Sequence, residues 1–79
     1  MSAKPSSDHV STTEAANWLS RMVEPAKNWI YALESNRRGK RFAKYGTVPY
    51  NKVGMRVYYH KNDLIEFARK QFGVTWATF

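Results

Sequence analysis

The stretch Pro49-Tyr50-Asn51-Lys52-Val53-Gly54-Met55-Arg56-Val57-Tyr58-Tyr59-His60 decides how this chain folds. From Pro49 its residues follow a period of two on either side of Gly54, the pattern of two strands folded into a hairpin. Two registers are open. A three-residue tip, Gly54-Met55-Arg56, turns Asn51, Val53, Val57 and Tyr59 to one face and leaves Tyr50, Lys52, Tyr58 and His60 on the other. A two-residue Gly54-Met55 turn of type II′ suits the glycine better, yet it sets Val53 opposite Arg56. The first register buries both valines together and is the preferred expectation. In either one, Arg56 stands at or beside the tip.

Beyond the hairpin a helix is expected from near Lys61. Asn62, Asp63 and Glu66 fall in its acid-rich first turn, and Leu64, Ile65, Phe67, Ala68 and Phe72 form its buried face. Arg69 and Lys70 suit its last turns, and Gly73 ends it. The tail Val74-Thr75-Trp76-Ala77-Thr78-Phe79 is apolar. It either folds back on the core, adds a short strand, or offers a surface for self-association.

Before the hairpin runs a loop from Asn36 to about Val48, long for a compact domain. Phe42 and Tyr45 are expected to tuck it against the body. A second helix precedes it, with Glu24 and Pro25 in its first positions. Ala26, Trp29, Ile30 and Leu33 share its inward face, and Lys27, Asn28, Tyr31 and Ser35 its outward one. Asn36 and Arg37-Arg38-Gly39 stop it. The first helix starts at an S-x-x-E capping box, Ser11 and Glu14, and runs from Thr12 to about Arg21. Its apolar stripe is Ala15, Leu19, Met22 and Val23, bordered by Trp18. Residues 1–9 are expected to form a disordered arm without the apolar stretch of a secretory signal. Residues 10–73 form the domain and residues 74–79 the tail.

The chain has 79 residues, no cysteine and a net charge of +7. One small core is all that this length allows. Without cysteine, disulfides, thiolate zinc sites and cysteine nucleophiles are excluded, which fits a reducing cytoplasm. No apolar run reaches membrane length, so no membrane partner is expected. Three Trp, five Tyr and four Phe supply the packing instead. The charge is one-sided: no Asp or Glu occurs from Ser35 to His60, while Arg37, Arg38, Lys40, Arg41, Lys44, Lys52 and Arg56 do, with Lys61 just beyond. Such clustering repels itself unless a polyanion neutralises it. A basic linker is the plainer alternative; nucleic acid explains more.

Ser11-Thr12-Thr13-Glu14-Ala15-Ala16-Asn17-Trp18-Leu19 resembles the opening of the excisionase-family helix-turn-helix proteins, relatives of the MerR-like DNA-binding domains. Val48 to Tyr59, followed by Asn62-Asp63-Leu64-Ile65-Glu66-Phe67, resembles that family's wing and closing helix. The resemblance spans roughly Val10 to Phe72. It implies a mostly α fold with a small β-hairpin, a winged helix-turn-helix in the order helix, helix, hairpin wing, helix. It also implies a DNA binder of phage, plasmid or mobile-element type, near the nucleoid. Some such proteins bend DNA beside a recombinase; others regulate transcription. The sequence departs at the wing tip, where Met55 stands in place of a second basic residue, and in the longer connection before the wing.

On this reading the second helix enters the major groove with Lys27, Asn28, Tyr31 and Ser35. Arg37, Arg38, Lys40, Arg41 and Lys44 contact phosphates, with Lys52 and Lys61 bracing the wing on the backbone. Arg56 probes the minor groove. Self-association on DNA, or contact with a recombinase, is a further expected partnership. No enzyme, cofactor, metal site or small-molecule substrate is expected. His9 and His60 are the only histidines, Glu14 is explained by capping, and Asp63 and Glu66 by the helix dipole. Two other classes remain: an RNA-binding basic domain, without an RRM aromatic pair or KH glycine loop to support it, and a phage-type protein-interaction or inhibitor module supported by Trp76 and Phe79.

Overall fold

Ser11 closes a strand and opens a helix, and the rest of the architecture is arranged around that junction. The computed structural model describes residues 7–23, 28–44 and 46–79. Their elements follow the order β1(His9–Ser11), α1(Thr12–Met22), α2(Trp29–Arg37), β2(Asn51–Val53), β3(Arg56–His60) and α3(Lys61–Phe72). The sheet is antiparallel with β3 in the middle, order β1-β3-β2. The fold is therefore mostly α with a β-hairpin, as expected, and carries one strand more. β1 begins at His9, inside the segment expected to be disordered. Three residues are too few to show a period, but pairing Val10 with Tyr59 buries both.

The capping box of α1 is present. Glu14 N–H donates to Ser11 Oγ at 3.2 Å, and Ser11 N–H donates to Glu14 Oε1 at 3.1 Å. Each bond satisfies an amide that the helix itself cannot pair. Ala15, Ala16, Trp18 and Leu19 face the core.

The hairpin takes the register that was not preferred. Val53 pairs with Arg56, Lys52 with Val57 and Asn51 with Tyr58, so the turn is the two-residue Gly54-Met55. Gly54 has φ of +60° and Met55 is not in the positive region. That is the type II′ pattern, whose twist matches the strands. The one-residue slip turns β2 over. Lys52, rather than Asn51 and Val53, now shares the face of Val57 and Tyr59. Tyr50, two residues before Lys52, turns to that side as well, with its ring 6.4 Å from that of Tyr59. Tyr58, expected to face solvent, is buried on the opposite face. Above it, Asn51 Nδ2 lies 3.0 Å from His9 Nε2, a contact that crosses β3 from one outer strand to the other.

α2 begins later than its sequence suggests. Asn28 adopts a non-helical conformation as N-cap, and its Oδ1 accepts from Tyr31 N–H at 3.2 Å. Asparagine is among the strongest N-caps because its short side chain reaches an orphan amide. The expected start at Glu24-Pro25 and the inward Ala26 lie outside the described residues. The inward face is Trp29, Ala32, Leu33 and Asn36, with Ser35 buried beside it; Ile30, expected inside, is exposed. The helix ends in a Schellman arrangement. Gly39, at φ of +74°, donates to Asn36 O and Lys40 N–H to Ser35 O.

Asn36, expected to stop the helix, lies inside its last turn, and its side chain holds the loop beyond. It is 1% exposed, and its Nδ2 donates to Arg41 O and Phe42 O at 2.9 and 3.2 Å while its Oδ1 accepts from Val48 N–H at 3.0 Å. One side chain thus replaces the backbone ladder that the long loop lacks. Phe42 completes the closure, its ring 5.6 Å from Trp29 and 5.1 Å from Phe72. The expectation for Tyr45 lies outside the described residues. Of the three readings of the tail, folding back is the one observed. Val74 and Ala77 are buried, Trp18 Nε1–H donates to Thr78 O at 2.8 Å, and Phe79 stacks on Trp18 at 4.4 Å. Among the described residues no helix is long and apolar enough to cross a membrane.

Candidate nucleic-acid interface

Burying Trp29, Ala32, Leu33 and Asn36 turns a fixed stripe of α2 outward. At 100° per residue that stripe is Tyr31, Glu34 and Arg38, with Ile30 and Arg37 on one flank and Asn28 and Ser35 on the other. Tyr31 is 57% exposed and Ile30 44%. Arg41 lies over the Tyr31 ring at 6.0 Å, which adds a cation to the outer face from the loop beyond.

The flank with Ile30 opens onto a groove of about 320 Å³. The start of α1 lines it with Thr12 and Thr13, α2 with Ile30, Glu34 and Arg37, and the hairpin tip with Met55 and Arg56. Three separate elements therefore face one hollow. Its chemistry is mixed: two guanidiniums and the start of α1 favour an anion, the Glu34 carboxylate opposes one, and Ile30 and Met55 supply an apolar rim. The first amides of α1 have no helical partner and carry the positive end of the dipole, and two guanidiniums stand near. Thr12 Oγ1 also contacts Val57 O at 3.5 Å, which ties the start of α1 to β3 just past the tip.

Arg37 has a task of its own. Its Nη1 donates to the Tyr59 hydroxyl, and its guanidinium lies 5.8 Å from the Tyr50 ring centre and 6.0 Å from that of Tyr59. Burial pushes the Tyr59 phenol above its ordinary range, and the Arg37 hydrogen bond draws it partly back. The end of α2 is thereby pinned to the hairpin, which sets the distance between the two elements.

The other expected site residues divide clearly. Arg38 and Lys40 are exposed in the turn that follows α2, Arg41 and Lys44 are exposed in the loop, and Arg56 is exposed at the hairpin tip. Asn28 is exposed but engaged as a cap. Ser35 is corrected: at 6% exposure it belongs to the interior, because the later helix start and the inward Asn36 rotate it away from solvent. Lys52 is exposed, on the face of the hairpin opposite Arg56. Lys61 starts α3 at the far end of β3, about 16 Å from the tip at 3.3 Å per residue, with its Nζ 5.7 Å from the Phe79 ring centre. It does not join the groove. Lys27 lies outside the described residues. Sequence reasoning missed Ile30 and Glu34; a wheel centred on Trp29, Leu33 and Asn36 would have turned both outward.

A second cleft, about 210 Å³, lies between residues 46–49 and α3, but Asp63 and Glu66 rim it. Lys70 Nζ meets Glu66 Oε1 at 2.6 Å and holds that carboxyl below its usual range. There two carboxylates outnumber Lys70, whereas in the groove beside α2 Arg37 and Arg56 outnumber Glu34, so that groove is the better candidate for phosphate. Comparison with protein-family models, with curated proteins and with solved structures gave no match to the chain.

Proposed function

We propose that this chain binds double-stranded DNA as a winged helix-turn-helix, with α2 directed at the major groove and the β2–β3 hairpin serving as a wing whose Arg56 enters the minor groove. The observation that carries the reading is the shared groove: α2, the start of α1 and the hairpin tip border one hollow bearing Arg37 and Arg56. The exposed basic run Arg38, Lys40, Arg41 and Lys44 continues from the end of the same helix. A duplex presents two grooves separated by a phosphate ridge, so a helix and a hairpin held side by side match it. Phosphates at the ridge would meet the amides of α1, which favour anions. The excisionase-like resemblance narrows the role to a DNA-bending recombination accessory factor or a small transcriptional regulator.

The test is equilibrium binding to a random duplex across salt concentrations, with structured RNA as competitor. If about five phosphates are engaged, log K should fall against log salt with a slope of about −4 to −5. A slope near zero, or RNA competing as well as DNA at equal salt, would count against the reading. One observation favours the protein-interaction class: Trp76 is 69% exposed beside a hollow lined by Met22, Phe72 and Val74. If that face carries the activity, neutralising Arg38, Lys40, Arg41 and Lys44 leaves the partner bound and Trp76→Ala releases it.

A further inference from the structure

Glu34 is misplaced on a surface that only collects phosphates. It is the one acidic residue of α2, next in the groove to Arg37 and Arg56, yet it forms no ion pair among the described residues. A carboxylate there repels each phosphate it approaches, and expelling water strengthens the repulsion. What a carboxylate can accept from in the major groove is a base amino group. Adenine N6 is flanked by the N7 acceptor, which repels a carboxylate, whereas cytosine N4 is the donor that Glu pairs with. One turn earlier, at the flank of the same outward stripe, Ile30 is 44% exposed, a branched apolar group with no polar partner to find. Its complement is the thymine methyl, the apolar group of the major groove. Four helical residues rise about 6 Å, which is under two base steps of about 3.4 Å.

We infer that α2 reads a thymine and a cytosine one or two base steps apart, with Ile30 against the thymine methyl and Glu34 accepting from the cytosine amino group. This rests on the DNA-binding reading above and names the bases that it leaves open. Met55 and Arg56, at the other wall of the groove, take no part in that readout and remain with the wing.

The experiment is selection of duplexes from a random library by the unaltered chain, by Glu34→Gln and by Glu34→Ala, with circular dichroism confirming that each folds. The unaltered chain should recover the pyrimidine pair. Glu34→Ala should lose a preference of roughly 5- to 150-fold at one C·G pair while binding random duplex more tightly, since a repulsive charge is gone. Glu34→Gln should move the preferred base toward adenine, which glutamine reads through N6 and N7. Replacing the selected thymine by deoxyuridine should weaken binding about three- to fivefold, and Ile30→Ala should then add no further loss. An unchanged motif for both Glu34 variants, or a silent deoxyuridine, overturns the inference and leaves DNA binding intact. Failure of the unaltered chain to bind duplex at all removes both.

Discussion

Arg37 shows how one side chain can be misread from its charge alone. In sequence it is one cation in a run of them, and a phosphate contact is the natural expectation. In the fold it donates to the Tyr59 hydroxyl beside the Tyr50 ring, and so it is a brace before it is a ligand. The pairing has a consequence in alkali. Tyr59 keeps its proton to a pH above its ordinary value of 10.0 because burial disfavours the phenolate. A folded value above the unfolded one means that this contribution is whole below about pH 10 and is lost as pH climbs through the folded value. Urea denaturation at rising pH should therefore show stability falling above about pH 10, with Tyr59→Phe removing that part of the fall. Arg37→Ala should move the Tyr59 ionisation, followed by ultraviolet absorbance, higher still. An alkaline slope untouched by Tyr59→Phe would show the fall to come from elsewhere.

Among elements, the loop between α2 and β2 is held by a residue outside it. Asn36 serves three backbone groups of the loop from the last turn of α2, and the loop in turn delivers Phe42 to Trp29 and Phe72. Asn36→Ala removes that partner from all three groups at a site where Asn36 itself is buried. The expected loss is about 3 kcal/mol, or roughly 12–24 °C in Tm for a domain of this size, read by thermal unfolding. A loss under about 1 kcal/mol would mean that water replaces the amide there. The end of α2 was legible from Gly39, although the helix runs through Asn36 to Arg37 instead of stopping there; the service of Asn36 to the loop was not legible, because no periodicity marks contacts made across an irregular segment. Helix α1 was readable because its capping box is a local device, complete within four residues. The hairpin was readable as a hairpin but not in register. Both registers alternate equally well, and the choice was made by Gly54, which adopts positive φ without strain and closes the turn in two residues.

At the scale of the whole molecule, loop and tail are packed rather than trailing. The radius of gyration is 11.8 Å, against about 11.6 Å for a compact domain of this length. The tail contributes through Phe79, stacked on Trp18 with the planes 6° apart. Phe79→Ala should lower stability by about 1–2 kcal/mol in urea denaturation, and duplex affinity should stay within twofold, since Phe79 is remote from the groove beside α2. A drop in affinity without a drop in stability would place the tail in the interface instead. What the sequence determined by itself was whatever depends on neighbours along the chain: the cap of α1, the glycine stops of α2 and α3, the existence of the hairpin, and the one-sided charge. Tertiary structure alone decided the partners at a distance: β1 pairing with β3, the rotation of α2 that hides Ser35 and bares Ile30 and Glu34, the removal of Lys61 to the far end of the hairpin, and the meeting of α1, α2 and the tip around one groove. Local preferences are set within a few residues, whereas the facing of a helix depends on which of its side chains the rest of the core has room to bury.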